Sequence, residues 1–139
     1  MAWGENPADN FLQASHLAQL TAAIRPVSAP CQLIHGDLSG NVLFHHQLPP
    51  AIIDFSPYWR PAAWASAIVV ADALVWEGAD NRILNAVGHI ADFGQYLIRA
   101  LIFRAVSDQI LTKAGPAAPG THDPWARAVD LACRLAASA

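Results

Sequence analysis

The chain has 139 residues, 54% of them hydrophobic and 14% charged, with a net charge of −3. That size and composition fit one globular domain with a core of its own and exclude a disordered chain. Eight basic residues against eleven acidic ones leave no basic stripe for nucleic acid, and the longest apolar run, residues 61–76, is broken by Ser66 and Asp72 and falls short of a membrane span.

The N-terminus lacks the basic and apolar regions of a signal peptide, so a cytoplasmic protein without a membrane partner is expected. Cys31 and Cys133 fit no paired spacing and read as buried, reduced thiols. Asn6-Pro7 reads as a helix start, because Asn caps free amides and Pro fits the first turn. Phe11, Leu12, His16, Leu17, Leu20 and Ile24 recur near helical spacing, and Pro26 ends the helix. After a loop, short apolar runs bounded by turn residues predict strands over 32–35, 42–44 and 51–54, with a loop at 36–41 and a turn at 45–50. Beyond Pro61 the pattern is helical. One helix covers 61–76 with Gly78 at its end, a short one 81–87, and a longer one 89–111 with Ile90, Phe93, Leu97, Leu101 and Ile102 on one side. A loop at 115–120 precedes a last helix that Asp123-Pro124 opens and that carries Trp125, Val129, Leu131 and Leu135. The class is therefore α+β, mainly α, in one domain over 1–139: an N-terminal helix and loop (1–30), a β segment (31–60) and a helical part (61–139).

Chemistry concentrates in the β segment. A strand delivers His35-Gly-Asp37 into a tight loop, and Asn41 closes that loop at the next strand. Thirteen residues later comes Asp54. An antiparallel pair joined by a short turn brings Asp54 back beside Asn41, so Asp37, Asn41 and Asp54 should face one pocket. Phosphoryl transfer needs such a set: a carboxylate to take the proton of the acceptor hydroxyl, and hard oxygen ligands for Mg²⁺. Glycines at 36 and 40 permit close approach of the backbone.

His-Gly-Asp, then Asn and apolar residues, then Ile53-Asp54-Phe55 resemble the aminoglycoside phosphotransferase and choline kinase group, relatives of protein kinases. The resemblance is strongest over residues 32–55. Tyr58-Trp-Arg-Pro61, Trp64 and Ala71-Asp-Ala73 are also similar to an actinobacterial branch of phosphotransferase-like proteins. The resemblance implies Asp37 as catalytic base, His35 as support for its loop, Asn41 and Asp54 as ligands of Mg²⁺ and through it of ATP, and a small-molecule hydroxyl as acceptor. It also implies that the fold is the C-terminal lobe of the protein-kinase-like architecture, a β-hairpin catalytic segment on a helical bundle.

Two departures accompany it. Three residues separate Asp37 from Asn41 where the kinase pattern has four, and Ser56 replaces a common glycine. Only 34 residues precede His35, the sole lysine is Lys113, and no Gly-rich phosphate loop occurs, so the N-terminal nucleotide lobe is expected to be missing. The chain alone is then expected to be inactive, with a non-catalytic pseudokinase-like binding or scaffold remnant as the rival reading. A missing lobe further implies apolar surface exposed near the N-terminal helix and around Asp54, and self-association through it.

Other residues follow from their surroundings. Asp72 lies within a helix apolar nearly all round, where an unpaired carboxylate is costly; the resemblance implies a structural anchor accepting hydrogen bonds from the catalytic loop, the alternative being an Asp at the exposed edge of the helix. Trp59 and Arg60 read as candidates for the acceptor pocket, and Trp64 as core. His45 and His46, on opposite faces of a strand, read as a solvated hairpin tip.

Overall fold

The computed structural model describes Trp3, residues 15–112 and residues 123–138. The expected helix start at Asn6-Pro7, with Phe11 and Leu12, and the loop at 115–120 lie outside these. Among the described residues the fold is mixed α and β, mainly helical, with two small antiparallel sheets.

Helix α1 (Ser15–Ala22) turns Leu17 and Leu20 fully inward and stops four residues before Pro26. Strand β1 (Cys31–His35) pairs antiparallel with β4 (Pro57–Pro61), placing Leu33 opposite Trp59 and His35 opposite Pro57. Between them, β2 (Val42–His45) and β3 (Leu48–Ile52) form a separate hairpin, with Val42 opposite Ile52 and an irregularity between Leu43 and His45. Helix α2 (Ala62–Val75) continues directly from β4, with Trp76 and the left-handed Gly78 (φ 71°) ending it. A 3-10 helix (Asn81–Ala86), α3 (Phe93–Thr112) and α4 (Pro124–Ala137) complete the chain.

The core lies where α2 and α4 flank α3, with α1 laid across α3 and α4. Trp64, Ile68, Leu97, Leu101 and Val129 are at most 2% exposed. Trp64 meets Tyr58, Phe103 and Trp3 edge-on, with centroids 5.3–5.6 Å apart, an arrangement that aromatic quadrupoles favour. Helices α3 and α4 touch at Gly94, where a Cβ would lie 2.5 Å from the Ala136 backbone nitrogen.

Several expectations are corrected. The expected turn over 45–50 shortens to residues 46–47, and Pro49 and Pro50 join β3. Successive N–H groups of a strand point to opposite sides, so only one of the two prolines can lie on the free edge; the other removes a ladder donor, and the pairing with β2 is irregular there, between Leu43 and His45. The third strand ends at Ile52 rather than Asp54, whose φ of 49° is incompatible with a β conformation. Pro57–Pro61 is an unexpected fourth strand; its prolines sit at the two ends, where a ladder loses least. The long helix starts at Phe93 instead of His89, behind a turn in which Asp92 also adopts a positive φ of 56°. Cys31, expected to be buried, is exposed at the start of β1, and Cys133 is half-buried; both are free thiols.

Candidate active site

Strand β1 ends in His35, which is buried, and the chain then turns at Gly36. A Cβ at Gly36 would collide with the Tyr58 ring, so only glycine lets the turn settle on that ring while its N–H donates to the Ser56 carbonyl at 2.8 Å. Both ring nitrogens of His35 are engaged. Nδ1 accepts from the Asp37 N–H at 3.0 Å, and Nε2 faces the Ile53 carbonyl at 3.3 Å, a pairing that assigns the proton to Nε2. His35 therefore ties the Asp37 loop to the segment leaving β3. The edge of its ring also meets Phe55, at 5.4 Å.

The loop closes on itself. Asn41 donates from Nδ2 to the Asp37 carbonyl at 2.8 Å, and its own N–H bonds to the Leu38 carbonyl at 3.0 Å. Gly40, with φ 77°, makes the turn possible in so short a loop. The Asn41 carbonyl accepts from the Ile53 N–H at 3.0 Å, which brings the residue before Asp54 alongside Asn41. Asp54 is exposed and its carboxylate makes no hydrogen bond among the described residues. Ser39 Oγ, between Asp37 and Asn41, is shielded from solvent with no hydrogen-bond partner there.

The residue that sequence reasoning missed is Arg104. From α3 its Nε and Nη2 grip both oxygens of Asp72 at 2.6 Å, and Nη2 also reaches Asp37 Oδ1 at 2.6 Å. Asp72 is 4% exposed, the Arg104 side chain 13%, and the Asp37 carboxylate 42%. Burial pushes the Arg104 guanidinium toward losing its proton, but the bonds to Asp72 and Asp37 outweigh it, and its pKa is raised above the ordinary arginine value. Two carboxylates share one cation, so the cluster carries one more acidic group than basic. Asp72 was expected to bond the catalytic loop directly; it reaches the loop through Arg104 instead. A signal existed in the pattern: Leu97, Leu101 and Arg104 fall on one helical stripe, and a cation on a buried stripe needs a buried anion.

The other candidates lie apart. Trp59 projects from β4 opposite Leu33 and is exposed, while the Arg60 guanidinium bonds the Trp59 carbonyl at 3.0 Å and lies 5.4 Å from the Trp3 ring centre. His45 and His46 occupy an exposed hairpin tip, with ring centres 4.4 Å apart and planes tilted by 38° rather than on opposite faces, because His46 belongs to the turn. Apolar surface around Asp54 is exposed, as Ile52, Ile53 and Phe55; on α1 the described leucines are buried instead. An open groove lined by Leu84, Val87, Phe93 and Leu135 shares no residue with this segment.

No family model, curated protein or solved structure matches the chain. Among the described residues, no group of three or more His, Cys, Asp or Glu side chains is arranged to hold a metal, and no helix is long and apolar enough to cross a membrane.

Proposed function

We propose that residues 35–54 form the base- and metal-bearing half of a phosphotransferase active site, acting on a small-molecule hydroxyl with ATP and Mg²⁺. The observation that supports this most is the closed loop from Asp37 to Asn41, which carries a part-exposed carboxylate at one end and, at the other, a residue whose backbone carbonyl is bonded to the N–H of Ile53, next to Asp54. Asp37 has one oxygen held by Arg104, and the second is available to accept a proton from an acceptor hydroxyl. The amide nitrogen of Asn41 is spent on the Asp37 carbonyl, which leaves its oxygen as the ligand atom. That oxygen and the Asp54 carboxylate fit Mg²⁺, which takes few protein ligands and keeps several waters. Bound there, the ion would neutralise charge on the transferring phosphate. His35 keeps the loop in place, with both its ring nitrogens engaged by backbone groups.

On this reading the nucleotide-presenting half comes from sequence beyond these residues or from a partner chain, and the fold corresponds to the C-terminal lobe of a kinase-like enzyme. Calorimetric titration of Mg–ATP into the chain, and into the longer product of any in-frame upstream sequence, tests it. Heat that is lost on Asp54→Asn supports the reading; no heat in either form overturns it. A second reading, a non-catalytic pseudokinase-like scaffold, is favoured by the Arg104–Asp37 ion pair, which occupies one of the two Asp37 carboxylate oxygens, and by the loop one residue short of the kinase pattern. It predicts nucleotide binding without phosphate transfer to any hydroxyl acceptor.

A further inference from the structure

We propose that Trp3 is a positioning residue for the loop that carries Asp37, acting through Trp64 and Tyr58 across a stack of edge-on rings. Its bearing on catalysis rests on the reading of Asp37 as the base; the packing that carries it does not.

Trp3 has a seat of its own although it lies outside every helix and strand. Arg99 is 4% exposed, and a buried cation needs partners. Its guanidinium donates to the Gln95 carbonyl at 2.9 Å, to Gln95 Oε1 at 3.0 Å and to the Arg25 carbonyl at 2.6 Å, and to no carboxylate among the described residues. Burial pulls its pKa below the ordinary arginine value. The Trp3 ring supplies a further electron-rich partner, its centre 5.1 Å from the guanidinium carbon, and such contacts are strongest where water is excluded. Arg60 approaches the same ring at 5.4 Å, so two cations hold one indole.

From there the contacts run to the loop. The edge-on neighbour of Trp3 is Trp64, 5.5 Å away and 2% exposed. Trp64 meets Tyr58 at 5.6 Å, and Phe103 closes the cluster at 5.3 Å from Trp64 and 5.6 Å from Tyr58. Tyr58 in turn packs against Gly36, where a Cβ would come within 2.4 Å of its ring carbons. The Gly36 N–H is also bonded to the Ser56 carbonyl, just before β4. Tyr58 and Arg60 share a face of β4 by alternation, so Trp3 bears on that strand twice, directly at Arg60 and by way of Trp64 at Tyr58. Close-packed contacts transmit displacement rather than absorb it. Asp37 follows Gly36 immediately, so a turn that moves on the Tyr58 ring carries Asp37 with it.

Amide spectra of the isotope-labelled chain test this. Trp3→Ala should move the Gly36 and Asp37 resonances and speed exchange of the Gly36 N–H several-fold. Trp3→Phe, which keeps an aromatic face, should restore most of both, whereas Trp3→Leu should not. Val129→Ala, fully buried but outside the stack, should leave both resonances in place, which separates positioning from general loosening. In a Tyr58→Leu background, Trp3→Ala should shift the loop no further. Unmoved Gly36 and Asp37 resonances in Trp3→Ala overturn the proposal. So does an equal shift from Val129→Ala, a Trp3→Leu variant that restores the loop as well as Trp3→Phe, or a further shift in the Tyr58→Leu background. Loop shifts with no Mg–ATP heat in either form count against Asp37 as base and leave the coupling intact, while heat without loop shifts refutes the coupling alone.

Discussion

Asp72 is almost wholly shielded from water, and among the described residues its carboxylate bonds to Arg104 alone. Removing the cation strands a buried anion, so Arg104→Met should destabilise the fold by about 3 kcal/mol in urea unfolding. Arg104→Lys should recover only part of the loss, because an ammonium cannot reproduce the forked contact. Asp37→Asn removes a carboxylate that is 42% exposed and should cost less than about 1 kcal/mol. That ordering, with Arg104→Met far above Asp37→Asn, separates a bridge built for Asp72 from one built for Asp37. Gly36→Ala should cost roughly 1–3 kcal/mol by the same measurement, because the added methyl meets a Tyr58 ring that Trp64 and Phe103 already hold edge-on. Individual residues differ in how far the sequence discloses them. Asp37, Asn41 and Asp54 stand within one short stretch and declare themselves by type and spacing. Arg104 is 67 residues from Asp37 and 32 from Asp72, and only helical periodicity links it to a buried position.

At the scale of elements, α4 depends on Asp123. Its carboxylate accepts from the Trp125 N–H at 2.9 Å as N-cap and meets His16 Nε2 of α1 at 2.5 Å. Partial burial works to raise the Asp123 pKa, but the His16 contact and the backbone N–H bonds prevail and lower it. The unfolded carboxyl titrates near about 3.9, so the cap's contribution is whole above that pH and fades as pH falls through the lower folded value. Asp123→Ala should cost about 1 kcal/mol near neutral pH, and the gap to the wild type should close in acid below about pH 4. Gly94→Ala should cost at least ~2 kcal/mol, since the obstacle is the backbone of Ala136 and cannot swing aside. The helices were legible because their punctuation is local: Pro61 and Gly78 bracket α2, and Asp123-Pro124 opens α4. Strand β4 was not, because what makes it a strand is pairing with Cys31–His35, far upstream, and its terminal prolines argue against a strand until that pairing is known.

Across the whole molecule, order should be uneven. The hairpin packs mostly on itself, whereas α2 and α3 share the core, so amides of β2 and β3 in dilute solution should exchange by local opening long before those of residues 64–75 and 97–102. Exchange rates uniform across the two regions would refute that picture. The division into an N-terminal helix, a β segment and a helical layer follows from hydrophobic periodicity and turn residues alone. The standing-off of the hairpin does not, because alternation reports which residues are apolar and never what will cover them.

The bridge of Asp72, Arg104 and Asp37 also sets a rule of inheritance. Loss of Arg104 alone leaves a buried anion, and loss of Asp72 alone leaves a largely buried cation with one partner that water reaches. Replacing the buried pair together with apolar residues is the inexpensive exit. Positions 72 and 104 should therefore change as a unit in descent, with Asp37, which water reaches, freer to change alone.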